Sequence, residues 1–346
     1  MRRHLLKFLL LCVSLLLLGS CGNAPSGGES FGFSLEETYS QSTGTSSIAD
    51  IELSADIPSD IVLEESTSTE ESIDIGDLQV LSLDILQAEV NAKQAFVYDT
   101  AVGCVFAKGD MTAKIYPASI TKLYTAYVAL QYLSSEIEIT AGDEVDLVRS
   151  GSSLAYIRKG HTLTAEMLVQ GMLLPSGNDA AYVLAAAAGR AILENDSATA
   201  REAVDAFVDT MNNHAASDGL TGTHFVTPDG FHEDDHYTTM KDLLKIASLV
   251  GGNRIIMKYA GMQSARVVYA SGETNTWNNT NQLLNPASKY YRPQTVGLKT
   301  GHTAEAGYCL LTAERRGDRL ILVGVFGCSY TDGRFADTVK ILSSLS

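Results

Sequence analysis

The chain has 346 residues, 45% of them hydrophobic and 19% charged. That is enough apolar material for a large core, and it excludes a wholly disordered chain; the length allows one large domain or two small ones. The formal net charge of −16 argues against nucleic acid as a partner, because a phosphate backbone calls for a basic surface.

The charge is unevenly spread. Residues 1–92 hold three bases (Arg2, Arg3 and Lys7) and fifteen acids, so the remainder is only mildly acidic. The basic start precedes an apolar run from Phe8 to Leu18, too short to span a bilayer as a helix. Residues 1–20 read as a secretory signal. Leu18-Gly19-Ser20-Cys21 resembles a bacterial lipobox, which implies a diacylglycerol on Cys21 and cleavage before it. Residues 21–81 are rich in Ser, Thr, Gly, Asp and Glu and read as an acidic, solvated linker, with an r.m.s. reach of roughly 40 Å. Cys104, Cys309 and Cys328 lie in strand-like apolar runs without a CxxC spacing, so buried thiols are expected rather than a zinc ribbon or a disulfide framework.

From about residue 82 the pattern becomes that of a folded domain. Leu83 to Val90 suggests a short helix. Two strands, 95–98 and 104–107, flank the Ala101-Val102-Gly103 turn as a hairpin. Pro117 opens a helical stretch to about Leu133. Further helices are expected at about 164–174, 179–193, 199–215 and 239–251, strands at 266–269, 295–299, 307–313 and 320–327, and a last amphipathic helix at 335–345. An early hairpin can bury its apolar face only by pairing with the late strands. The expected class is therefore α+β: an antiparallel sheet (82–116 and 262–346) flanked by helices, with an inserted all-helical lobe (117–261) and a cleft between them.

Three short elements carry chemistry: Ser119-Ile120-Thr121-Lys122 at a helix start, Ser176-Gly177-Asn178 after a helix, and Lys299-Thr300-Gly301 at a strand end. Each pattern occurs once, and the spacings are 57 and 123 residues. A serine hydroxyl needs a nearby base to become a nucleophile. Positions i and i+3 share a helix face, so Lys122 can reach the Ser119 oxygen. Burial and a second cation, Lys299, would lower the pKa of Lys122 and let it act as a general base. The helix start favours negative charge developing near Ser119. Ser176 can relay a proton, Asn178 can hold a substrate amide, and Lys299 and Thr300 can bind a carboxylate. Gly301 leaves room for a peptide to lie along its strand.

The set S-x-x-K, S-x-N and K-T-G is that of penicillin-binding proteins and class A β-lactamases. Residues 117–122, 172–180 and 297–303, with Ala306-Gly307-Tyr308 and 333–338, resemble the D-alanyl-D-alanine carboxypeptidases, the low-molecular-mass penicillin-binding proteins. The resemblance covers about Leu81 to Leu345 and implies a β-lactamase/transpeptidase-like fold. It also implies an acyl-enzyme on Ser119 formed with a peptidoglycan stem peptide, and inhibition by β-lactams. Backbone N–H groups of Ser119 and His302 would form the oxyanion hole, and Arg334 would help bind the terminal carboxylate. No cofactor or metal is implied. Many relatives have Asn-Arg-Asn where this chain has Asn279-Thr280-Asn281, and many carry a C-terminal β-domain and membrane helix; here an N-terminal lipid is expected to supply the anchor.

Other readings share part of this pattern. A D,D-endopeptidase would use the same residues on a cross-linked peptide, and a penicillin or muropeptide sensor would stay acylated. A class A β-lactamase needs a Glu-based deacylation loop that is not recognisable here. His232-Glu233-Asp234-Asp235-His236 matches the zincin pattern H-E-x-x-H, but Pro228-Asp229-Gly230 makes a turn just upstream and the intervening residues are acidic, so a polar loop near the cleft is expected instead. Trp277 is expected in the core or in the cleft wall.

Overall fold

The computed structural model describes residues 78–345. The signal segment, Cys21 and nearly all of the acidic linker lie outside the described residues.

The described chain opens with β1 (Val80–Ser82) and a 3-10 turn at Leu83–Leu86. The hairpin follows, as β2 (Gln94–Asp99) and β3 (Cys104–Lys108). A second 3-10 turn, Ala118–Ile120, runs straight into α1 (Thr121–Tyr132). A small strand pair, β4 (Glu138–Thr140) and β5 (Thr162–Thr164), precedes α2 (Ala165–Leu173), α3 (Asn178–Ile192), α4 (Ala200–Ser217), α5 (Met240–Gly251) and α6 (Arg254–Ala260). A second pair, β6 (Ser264–Val268) and β7 (Thr274–Asn278), leads to β8 (Thr295–Thr303), β9 (Gly307–Arg316), β10 (Arg319–Cys328) and the final α7 (Gly333–Ser344).

The main sheet has the order β1-β3-β2-β10-β9-β8. The early hairpin joins the late strands where β2 pairs antiparallel with β10, Val97 opposite Val323. The expected all-antiparallel sheet needs one correction, because β1 runs parallel to β3, Val80 opposite Val105. The chain leaves β1, crosses on the 83–86 turn and enters β2 beyond β3, which places β3 between them. A three-residue strand is too short to show an alternating pattern in the sequence.

Period-two alternation explains how the sheet is covered. Ala95 and Val97 of β2, with Ile321, Val323 and Val325 of β10, pack on one face against Leu83, Ile341 and Leu342. Phe96, Tyr98, Leu322 and Phe326 point the other way, into the core shared with the helices. α3 is buried along almost its whole length through Ala180, Ala181, Val183, Leu184, Ala185, Ala186 and Ala188. Its small side chains let α4 approach closely: a Cβ on Gly189 would sit 1.8 Å from the Ala203 carbonyl oxygen. Among the described residues, no helix is long and apolar enough to cross a membrane. Cys104, Cys309 and Cys328 are all buried. Trp277 is core, donating its indole N–H to the Ala155 carbonyl at 2.9 Å.

Candidate active site

Ser119 sits in the middle of the 118–120 turn, just before α1 rather than inside it. The residue before it, Ala118, has φ +49°, the left-handed region that costs an alanine energy. Neighbours hold that conformation. Thr121 Oγ1 donates to the Ala118 carbonyl at 2.8 Å. Gly230, at φ +77°, packs so close that a Cβ there would lie 1.9 Å from the same oxygen. Ser176 is the second strained residue of the site, at φ +65°.

Lys122 reaches back one helical turn and donates to Ser119 Oγ at 2.8 Å. Its Nζ also donates to the Asp229 carbonyl at 2.7 Å. The side chain is fully buried. Burial lowers its pKa to about 8, against the opposing charges of Asp229 and Asp179. The expected influence of the second cation falls on the other partner instead: Lys299 is pushed well below the ordinary lysine value, first by burial and then by Lys122 and Arg334. Lys299 is itself buried and donates to the Thr300 carbonyl at 3.0 Å.

Asn178 begins α3, and its backbone N–H donates to the Ser153 carbonyl at 2.8 Å. Its side-chain Nδ2 donates to Ser152 Oγ at 2.9 Å and to Asp229 Oδ2 at 2.5 Å. The neighbouring Asp179 accepts the Ala155 and Ile157 N–H groups, both at 2.8 Å, and so ties the 153–157 loop to the start of α3. Across the cleft, Thr300 pairs with Thr280 through their hydroxyls at 2.6 Å. Thr280 thus lines the cleft beside the third motif.

Two features differ from the reasons expected. A Cβ on Gly301 would lie 2.9 Å from the Pro117 carbonyl oxygen and 3.3 Å from the Ser119 nitrogen, so the glycine makes room for the Ser119 turn itself. Arg334, at the start of α7, donates to the Gly301 carbonyl at 2.9 Å, and so supports the strand as well as facing the cleft. Its Nε is buried with no hydrogen-bond partner among the described residues. The His302 side chain stacks on Tyr308, 4.0 Å between ring centroids, and burial followed by Arg334 lowers its pKa.

Ser119, Ser176, Asn178, Thr300, Gly301, His302 and Arg334 all line one open cavity of about 690 Å³. The structure thus brings together, in one cleft or directly beneath it, every site residue expected from the sequence except Cys21, which lies outside the described residues.

The H-E-x-x-H segment is a loop, as expected from its upstream turn. His232 lines the cleft, its ring edge-on to Tyr116 at 4.7 Å. His236 is buried. Its Nδ1 accepts the Val226 and Thr227 N–H groups at 3.1 and 3.3 Å. That leaves the proton on Nε2, which meets Thr121 Oγ1 at 2.9 Å while Thr121 donates onward to Ala118. Burial lowers the His236 pKa to about 3. Glu233 pairs with Arg149 at the cleft wall.

Sequence reasoning passed over Asp229, which meets both Lys122 and Asn178. Pro-Asp-Gly carries only a turn signal, and the contacts it makes are 107 and 51 residues away in the chain.

Comparison with known proteins gives the family and the fold. The family model for D-alanyl-D-alanine carboxypeptidase matches residues 83–329. The chain is 34% identical to a D-alanyl-D-alanine carboxypeptidase of Streptomyces sp. strain K15, over 65% of this chain and 77% of that one. It is 30% identical to the carboxypeptidase DacA of Escherichia coli K12, over 74% of this chain; the match spans only 60% of that relative's length. The crystal structure of the Streptomyces K15 DD-transpeptidase superposes with a TM-score of 0.66 at 29% identity, covering 74% of this chain and 97% of that one. Penicillin-binding protein D2 of Listeria monocytogenes, solved in an ampicillin-bound form, gives 0.59 at 26% identity, with 74% and 97% covered. The α+β fold expected from the sequence is the fold of these neighbours.

Proposed function

The chain belongs to the serine-type D-alanyl-D-alanine carboxypeptidase family, and we propose that it removes the terminal D-Ala of peptidoglycan stem peptides through an acyl-enzyme on Ser119. The observation that carries this reading is the 2.8 Å contact between a buried lysine, its pKa lowered to about 8, and the Ser119 hydroxyl.

In this mechanism neutral Lys122 takes the Ser119 proton as Oγ attacks the carbonyl carbon of the penultimate D-Ala. The backbone N–H groups of Ser119 and His302 hold the oxyanion. The C–N bond breaks, and the departing amine of D-Ala receives its proton through Ser176. Water then attacks the ester, with Lys122 again as base, and frees the shortened peptide. Lys299, Thr300 and Arg334 bind the terminal carboxylate, Asn178 holds the peptide, and Gly301 keeps β8 against the Ser119 turn. A β-lactam acylates the same serine and leaves slowly, a reading supported by the ampicillin-bound relative.

The test is D-alanine release from a diacyl-Lys-D-Ala-D-Ala peptide. Release lost in Ser119→Ala and kept in chelator supports the reading. Covalent labelling by penicillin without any release would favour an endopeptidase or a sensor. Peptidoglycan lies outside the plasma membrane, so the proposal includes export; the lipobox-like Leu18-Gly19-Ser20-Cys21 adds a lipid on Cys21. Membrane fractionation of Cys21→Ala checks it: the variant is expected in the soluble extracytoplasmic fraction.

A further inference from the structure

Asp229 is a buried acid at the centre of the site with no part in the mechanism above. Both its carboxylate oxygens are engaged, Oδ2 by Asn178 Nδ2 at 2.5 Å and Oδ1 by the Phe231 N–H at 2.9 Å. Its backbone oxygen accepts from Lys122 at 2.7 Å. The loop that carries it is clamped on both sides: Thr125 Oγ1 donates to the Pro228 carbonyl at 2.7 Å, and Gly230 packs on Ala118.

We propose that Asp229 is a positioning residue of the acylation step: its carboxylate fixes which end of the Asn178 amide faces the cleft, and its carbonyl oxygen holds Lys122 against Ser119. This rests on the serine carboxypeptidase reading.

The reasoning is a hydrogen-bond count. An asparagine amide has two N–H hydrogens and one acceptor oxygen. Ser152 and Asp229 take the two hydrogens, so Oδ1 is the atom left for the cleft. Turning the amide over would set Oδ1 against a carboxylate oxygen at 2.5 Å, two acceptors without a proton between them. No hydroxyl in place of Asp229 would enforce that choice, because a hydroxyl can donate as well as accept.

The charge of Asp229 has a second effect. The charged groups that act on Lys122 are Asp229 on its loop and Asp179 on α3, both raising its pKa. Lys299 on β8 and His236 on the loop also face it, and each feels its charge. Tyr182 of α3 and Arg334 of α7 complete the set, the first facing Asp229 and the second facing Lys299. Removing the Asp229 charge therefore moves the titration of Lys122 to lower pH.

The test is the pH profile of Ser119 acylation by a fluorescent penicillin, measured on the full chain and on Asp229→Asn and Asp229→Glu, with the adduct mapped by mass spectrometry. Asparagine has one acceptor oxygen for two donors, so Asp229→Asn should slow acylation at least about tenfold. It should also move the midpoint of the profile about one pH unit to acid. Asp229→Glu keeps the charge but misplaces the oxygens, so it should slow acylation with the midpoint unmoved. Asp229→Asn that lowers the rate equally at every pH, with the midpoint fixed, would overturn the proposal and leave Asp229 a structural residue. If Asp229→Asn does not fold, Asp229→Glu decides alone, and acylation at the wild-type rate would overturn the proposal. Failure of the wild-type chain to be labelled at Ser119 would instead overturn the carboxypeptidase reading and this inference together.

Discussion

Lys122 offers the sharpest prediction. Its pKa of about 8 results from complete burial opposed by two acids. At that value ~9% of the lysine is neutral at pH 7 and ~1% at pH 6, against ~0.03% at pH 7 for an ordinary lysine. Burial therefore raises the population of competent base about 300-fold at neutral pH. If neutral Lys122 is the base, acylation by benzylpenicillin should climb nearly tenfold from pH 6 to 7, pass half-maximum near pH 8 and level off above about pH 9. Stopped-flow measurement of the second-order acylation constant from pH 6 to 10 reads this directly. Lys122→Arg keeps a cation that does not deprotonate in this range, and should lose at least about a hundredfold with no alkaline plateau. A profile flat across this range, or one still rising tenfold per unit at pH 10, would refute the assignment.

Three further outcomes follow from local geometry. Gly301→Ala drives a methyl group against the Pro117 carbonyl and the Ser119 turn, so acylation should fall at least about tenfold while the melting temperature drops only a few degrees, as read by penicillin labelling beside calorimetry. Gly189→Ala has no such slack, because the clash is with the Ala203 backbone between two packed helices; urea titration should show about 2 kcal/mol or more of lost stability. His236 is held neutral with a folded pKa of about 3, below its unfolded value of 6.5, so its stabilising contribution is complete above pH 6.5 and is lost as pH falls towards 3. Stability should then decline by about 1.4 kcal/mol per pH unit within that window from this residue, and urea titrations at pH 7, 6 and 5 should show a shallower decline in His236→Gln.

How much of this was legible in the sequence depends on distance along the chain. The hairpin at 94–108 and the late strands carry unbroken apolar runs, and such runs in an otherwise mixed sequence demand a common sheet. Ser119 and Lys122 are legible as a pair because they stand three positions apart and helical geometry does the rest. The parallel edge strand β1 was not legible, because three residues show no period. The same holds for β7 and α6, short elements fixed by packing rather than by pattern. The left-handed conformations of Ala118 and Ser176 leave no local mark either: neither residue type favours that region, and the surrounding contacts impose it. Asp229 and His236 belong to one loop whose spelling suggests a turn and, misleadingly, a metal motif. Their partners, Lys122, Asn178 and Thr121, are brought to them only by the fold.

The most direct measurement is the mass of the full chain and of its Ser119 peptide after mixing with benzylpenicillin and, separately, with a diacyl-Lys-D-Ala-D-Ala substrate. The account predicts one stoichiometric penicilloyl adduct on Ser119 and a transient acyl adduct on the same residue that decays as D-alanine appears, both absent in Ser119→Ala. D-alanine release with no adduct at Ser119, surviving in Ser119→Ala and abolished by a chelator, would contradict it.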